Sequence, residues 1–374
     1  MAQEKDQQRK LLRIQSRVRG MMLGLALGDS FGTARGKLPA SGLLRAGVST
    51  QLACFTTEGM IRASVRGNHK GICHPPSVVM HAYCRWAALQ GIEVERMRRR
   101  WARHGDAAWP DGWLAGVPAL AVRRGSAPAT VAALSGIEQG GLGEPTTSRG
   151  CHALTRALPL AVAGPPGIAQ AREIAALTHG DAEAQAAAVH ATVLVHHCLT
   201  HNSSEGRQGS SVGQSAREAL DAGITALRSR ERSLGERLTE HEHDRLSAAF
   251  RRAVDEPARA GGLVQLAPDA TAPSALLGGL YVAVSFPDPA DVGAALEFAA
   301  AAPDGESVAC VAGALLGAVH GAGSLPVDLV SRHELAWVLD TLARDLLIEF
   351  DDSPSGSEYV QGWDSQWWDR YPGW

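Results

Sequence analysis

Residues 19–32 read RGMMLGLALGDSFG, and residues 303–321 read PDGESVACVAGALLGAVHG. Glycine recurs at every fourth position in both: Gly20, Gly24, Gly28 and Gly32 in the first, Gly313, Gly317 and Gly321 in the second. Residues four apart share one face of an α-helix. Inside a helix, glycine costs roughly 1 kcal/mol relative to alanine, so a stripe of it needs a packing reason. A face stripped of side chains lets another backbone come close. Both helices are therefore expected at the centre of the fold, each the natural partner of the other. The plain alternative is alanine–glycine drift with no packing role.

Alanine-rich segments with helical spacing recur along the rest of the chain, at 76–91, 129–135, 168–177, 181–200, 215–229, 243–254, 274–284, 290–301 and 332–348. Alternating β-branched or aromatic runs with tight turns are nearly absent, so the fold class is all-α. No equal-period repeat points to a solenoid. The expected organisation is a polar lead (1–16), one helical domain (17–348) and a Trp-rich tail (349–374). HNSSEGRQGSSVGQSA (201–216) reads as a surface loop, and 228–245 as a solvated, mixed-charge connection or exposed helix. The tail carries Trp363, Trp367, Trp368 and Trp374, which should pack on the body or on a second subunit.

A formal net charge of −3 over 374 residues gives no electrostatic reason to expect nucleic acid or an anionic membrane as partner. The six cysteines form no CxxC pair, which argues against a zinc knuckle or a dense disulfide framework. The polar start is unlike a signal peptide, and the apolar runs are too short to span a bilayer. A soluble, cytoplasmic protein is the expectation.

Two stretches concentrate polar groups among apolar ones. FTTEGM (55–60) reads as a helix start, with Thr56 or Thr57 as cap and Glu58 in the first turn. PDGES (303–307) reads the same way, with Asp304 as cap and Glu306 beside the positive end of the helix dipole. Plain capping accounts for either stretch alone. If the two starts face one another, their carboxylates and hydroxyls make an oxygen-only pocket of the kind that takes Mg²⁺, Mn²⁺ or Ca²⁺. His197 and His201 have the spacing of a zinc pair but no evident third ligand, so polar-edge histidines are the better reading. Cys151 beside His152 suggests a thiolate nucleophile; adjacent side chains seldom face each other, and a small hydrophobe is the simpler account.

Taken in order, these motifs resemble the ADP-ribosylglycohydrolases, all-α proteins with a binuclear Mg²⁺ or Mn²⁺ site. RGMMLGLALGDSFG resembles the family's opening helix, ending in Gly28-Asp29. FTTEGM is set against the first metal motif, W-T-D-D-T-x-M. GCHALTRALPLAV (150–162) is similar to the G-N-G-x-x-M-R-x-x-P-L segment that lines the ADP-ribose pocket. THGDAEA (178–184) resembles the T-H-x-D/E stretch that opens a central helix, and PDGESVACVAGALLGAVHG resembles the second metal motif, G-D-x-D-T, with its A-G-A-x-x-G-A helix. The closing WWDRYPGW resembles tails of bacterial members.

The resemblance implies metal ligands at Thr56, Glu58, Asp304, Glu306 and Ser307, with Glu58 and Glu306 also catalytic. It implies substrate contacts at Asp29, Gly150, Cys151, His152 and His179. The departures fall where the chemistry belongs. Thr57 and Glu58 stand for aspartates, Gly59 for threonine, Glu306 for aspartate and Ser307 for threonine. Cys151 and His152 replace asparagine and glycine, and Thr155 replaces methionine. The glutamate that many members place after GDSFG is absent from TARGKLPASG, which brings Arg35 and Lys37. Three carboxylates in place of four aspartates imply one ion or none, Mg²⁺ or the more adaptable Mn²⁺ or Ca²⁺. The implied ligand is an ADP-ribose-like small molecule or an ADP-ribosylated substrate. The implied function is hydrolysis of a glycosidic bond in an ADP-ribosyl or related nucleotide compound at a remodelled site; the alternatives are an inactive ADP-ribose- or nucleotide-binding relative and a fold recruited to biosynthetic chemistry.

Overall fold

The computed structural model describes residues 2–101, 109–137, 144–201, 212–234, 240–351, 353–355, 364 and 366–373. Among them there is no strand, and isolated backbone bridges (Leu44 with His333, Thr146 with His179, Gly150 with Thr271) staple loops together. The protein is all-α, as the periodicity predicts. The first three helices are α1 (Ala2–Thr33), α2 (Val48–Lys70) and α3 (Pro75–Leu89). No helix of the described residues is long and apolar enough to cross a membrane.

The two glycine helices meet as expected. α1 packs against the Gly305–His320 helix more extensively than any other two elements pack. The contact is antiparallel and steps by four along α1: Gly20 lies against Gly317, Gly24 against Gly313, Gly28 against Ala309 and Gly32 against Glu306. A side chain built on Gly24 or Gly313 would overlap the other glycine's carbonyl. One geometric result governs the rest: the C-terminal end of α1 arrives beside the N-terminal end of the Gly305–His320 helix.

Several elements depart from the sequence reading. α1 extends back to Ala2, so the polar lead continues the central helix. α2 is a helix that periodicity misses. Nearly every residue from Val48 to Ala63 is buried, so it has no amphipathic face to detect. FTTEGM is consequently not a helix start: it lies in the interior of α2, two turns beyond the true start at Val48. Residues 215–229 and 243–254 fall within longer helices, Val212–Leu234 and Glu240–Asp255. Most of the 201–216 loop lies outside the described residues, as do residues 235–239.

Of the four tail tryptophans, Trp363 and Trp374 also lie outside the described residues. Trp367 is fully buried, with its ring 4.9 Å from that of Tyr371. The Tyr371 hydroxyl donates to Asp345 at 2.9 Å and Arg370 pairs with the same carboxylate, so this part of the tail is clasped to the body. Gly373 lies against Val65 and His69, late in α2.

The glycine contact predicts two opposite substitution effects. Gly313→Ala should remove at least about 3 kcal/mol of stability, because backbone lies where its methyl would go. Gly261→Ala, in the exposed Ala260–Leu266 helix with no atom within 4 Å of its added carbon, should gain about 0.5–1 kcal/mol. Urea unfolding of the two variants beside the parent measures both.

Candidate functional site

The Gly305–His320 helix begins where the sequence places it. Asp304 is its N-cap residue, yet its side chain makes no capping hydrogen bond, and its Oδ2 is buried without a donor. Glu306 and Asp304 are both partly exposed, while Ser307 beside them is buried. Because the glycine contact runs antiparallel, Asp29 from the end of α1 reaches the same place, and the carboxyls of Asp29 and Glu306 lie side by side. Burial raises both well above the usual carboxylate range. For Glu306 the charges of Asp29 and Asp304 add to the effect, so protons stay on this group at neutral pH.

Asp29 is not exposed at all, and its visible work is structural. One oxygen, Oδ2, accepts the Thr50 backbone N–H at 2.9 Å and the Thr50 hydroxyl. This carboxylate at the end of α1 therefore caps the start of α2, which has no cap from its own Gly47. A side chain at Gly47 would collide with Asp29, and this explains glycine there. The start of α2 is thus fastened to the acidic cluster. It contributes Ser49, whose hydroxyl accepts that of Thr155 at 3.1 Å, and Thr50.

Cys151 completes the cluster. Its thiol lies by Ser307 and Asp304, and burial, then the Asp304 charge, pushes its pKa up to about 12. It remains a protonated thiol at neutral pH, which fits a small buried side chain and not a thiolate nucleophile. The neighbouring wall is built by Gly150, His152 and His179. The Gly150 N–H donates to Ser148 Oγ at 3.0 Å, and Gly150 is bridged to Thr271. His179 Nδ1 lies 2.7 Å from the Thr178 hydroxyl, just ahead of the helix that Asp181 caps. Burial, with Arg156 nearby, lowers His152 to about 4 and His179 further, so both imidazoles are neutral.

Glu58 and Thr56 do not join this group. Eight residues separate Glu58 from Thr50 on one helix, a rise of about 12 Å. Glu58 instead sits in a buried ionic cluster: Oε1 accepts Arg62 Nη1 at 3.1 Å, Oε2 pairs with Arg85, and Arg62 continues to Asp111 at 2.8 Å. Thr56 is spent on the Leu52 carbonyl at 3.0 Å and the Tyr83 hydroxyl at 2.7 Å. Thr57 bonds back to the Ala53 carbonyl at 2.8 Å. The pairing of FTTEGM with the first metal motif is therefore corrected. Set on the observed start of α2, the motif's T-x-M falls on Thr50-Gln51-Leu52, and its two aspartates fall on Val48 and Ser49. The signal that could have found this is the TQL triplet, with leucine standing for methionine.

The donor set does not fit a two-metal centre. Val48 and Ser49 bring no carboxylate, Glu58 is neutralised by arginines, and among the described residues no three His, Cys, Asp or Glu side chains converge as ligands for an ion. His197 and His201 lie at the far end of their helix. The His201 carbonyl accepts Arg17, a cation beside the supposed zinc pair.

Fold and site together define an all-α protein with an acidic cluster where helix ends meet. The chain belongs to the ADP-ribosylglycohydrolase family, whose sequence model matches residues 11–355. No protein of curated function matches the sequence. Among solved structures it is similar to an "ADP-ribosylglycohydrolase-related protein complex", with 23% identity over 90% of this chain and 98% of that one and a TM-score of 0.53. That likeness concerns the fold.

Glu58→Ala should cost about 3–5 kcal/mol, because among the described residues it leaves two buried arginines with Asp111 as their one remaining counter-charge. A chemical denaturation curve measures the loss. A ligand-binding Glu58 would instead leave the midpoint in place.

Proposed function

We propose that this protein binds an ADP-ribose-like compound in the recess between α1, α2 and the Gly305–His320 helix, without two-metal hydrolysis. The observation that carries the reading is the pair Asp304 and Glu306. Both are reachable from solvent, and Asp304 keeps a buried oxygen with no donor. A buried acceptor left unpaired is unfavourable, and a ribose hydroxyl is a donor of suitable size. Glu306, held protonated, offers the complementary donor to a ribose oxygen. The neutral His152 and His179 and the backbone around Gly150 form the adjoining wall, where the family resemblance sets the rest of the ligand.

Loss of the first motif's carboxylates argues against the family's metal-assisted attack of water. Two divalent ions in that recess would meet Ser49 and Val48 where negative charge is required. A second reading rests on Glu306 alone. A carboxyl kept protonated by burial and by two neighbouring acids is suited to general-acid cleavage of a glycosidic bond, with no ion involved.

Thermal shift in EDTA separates these readings from no binding at all. Millimolar ADP-ribose should raise the midpoint by a few degrees, on the order expected for ligand at many times its Kd. Asp304→Asn should weaken binding at least about tenfold, the loss of one charge-assisted hydrogen bond. Failure of ADP-ribose to stabilise the protein, with or without Mg²⁺, would sink the proposal. Release of ADP-ribose from arginine-, serine- or nucleotide-linked substrates in EDTA would establish the second reading, and Glu306→Gln should abolish that release.

A further inference from the structure

The segment between α1 and α2, residues 33–47, reads TARGKLPASGLLRAG and holds Arg35, Lys37 and Arg45 with no acid, in a chain whose net charge is −3. It departs from the acidic cluster and returns to it. At its start Thr33 hydrogen-bonds Glu306 and Gly32 packs on the Glu306 backbone. At its end the Arg45 carbonyl accepts Ser30 Oγ at 2.8 Å, one residue from Asp29, and Gly47 abuts Asp29 itself. Both ends of the segment therefore flank the acidic cluster, and we take it as the rim of the proposed recess.

This rim is held in place. Leu44 is bridged to His333, Arg332 donates to the Pro39 and Gly42 carbonyls, and the Ala46 N–H donates to Glu334 at 2.9 Å. At the end of α1 the Gly36 N–H returns to the Phe31 carbonyl at 2.8 Å, a helix stop that places Arg35 in the left-handed region at φ 48°. Glycine or asparagine fits that conformation more readily than arginine. The three cationic side chains are exposed and take part in no ion pair or side-chain hydrogen bond among the described residues. Two acids that touch the segment do not neutralise them: Glu334 is engaged by Arg124, and among the described residues Glu297, whose stem passes Gly36, pairs with none of the three.

We propose that Arg35, Lys37 and Arg45 receive a phosphate group that the ligand carries beyond its ribose. This rests on the preceding reading of the recess and extends it to a phosphorylated substrate class. The recess is acidic within and basic at its edge. A phosphate is repelled from the Asp304 carboxylate and attracted to the rim, while ribose hydroxyls are drawn inward. The ligand's orientation follows from that gradient. Guanidinium groups match phosphate oxygens in pairs, and three cations suit a dianion.

Calorimetry of the full chain in EDTA with ADP-ribose and with ADP-ribose 1″-phosphate tests the assignment. The parent should bind the phosphorylated compound at least tenfold more tightly. The triple variant Arg35→Gly, Lys37→Ser, Arg45→Ser should lose that preference while holding ADP-ribose within threefold of the parent. Its unliganded midpoint should not fall, since glycine suits position 35. Should the triple variant misfold, Lys37→Ser alone, at an exposed side chain, should reduce the preference at least threefold. Equal affinities in the parent, or a preference that survives the substitutions, would overturn the proposal. Inorganic pyrophosphate needs no ribose and distinguishes the two readings. Stabilisation of the parent but not of the triple variant supports the rim even if neither nucleotide binds. An identical response in both proteins overturns the rim whatever the nucleotides do.

Discussion

Everything distinctive about this molecule follows from the backbone contact between α1 and the Gly305–His320 helix. Glycines spaced by four on both helices let the two main chains touch, and the antiparallel sense joins the end of one to the beginning of the other. Asp29 and Glu306 are neighbours for that reason alone. Asp29 then reaches across to fasten the start of α2, so a single packing register positions three of the elements that make the recess. Larger side chains in the stripe would disturb the recess as well as the core.

Charge is distributed unevenly around this frame. The carboxylate nearest the family motif in sequence, Glu58, is absorbed by Arg62 and Arg85 in a buried cluster. Among the described residues no arginine pairs with Asp29 or Glu306, and burial with the neighbouring acids holds the Glu306 proton. Glu58 is neutralised by arginine and Glu306 by a proton. Glu58 and Glu306 therefore bring no fixed negative charge to a pair of divalent ions.

The class of fold was legible from helical periodicity, and the central contact from the glycine spacing. The second acidic helix start was legible because Asp304, Gly305 and Glu306 precede an uninterrupted apolar run. α2 was not legible, since burial on every side erases the periodic signal, and its start lacks a capping side chain of its own. That omission displaced the first motif by two helical turns and gave Glu58 a role that its arginine partners preclude. No local rule could supply those partners: Arg85 lies on another helix, and Asp111 lies in a loop 49 residues from Arg62. Burial of Trp367 shows the reverse case, where four tryptophans in a polar tail signalled packing that the described part of the tail displays.

The central contact also sets a timetable for biosynthesis. Arg17, which ties α1 to the Val319 carbonyl, is separated from it by 302 residues. At ribosomal rates of about 5–20 residues per second, α1 waits roughly 15–60 s for the helix that covers its bare glycine face. Through that interval the nascent chain carries the buried second half of α1 without its most extensive partner. Its dependence on chaperones should be greatest late in translation, when almost the entire chain has emerged and the heart of the fold still lacks its second half.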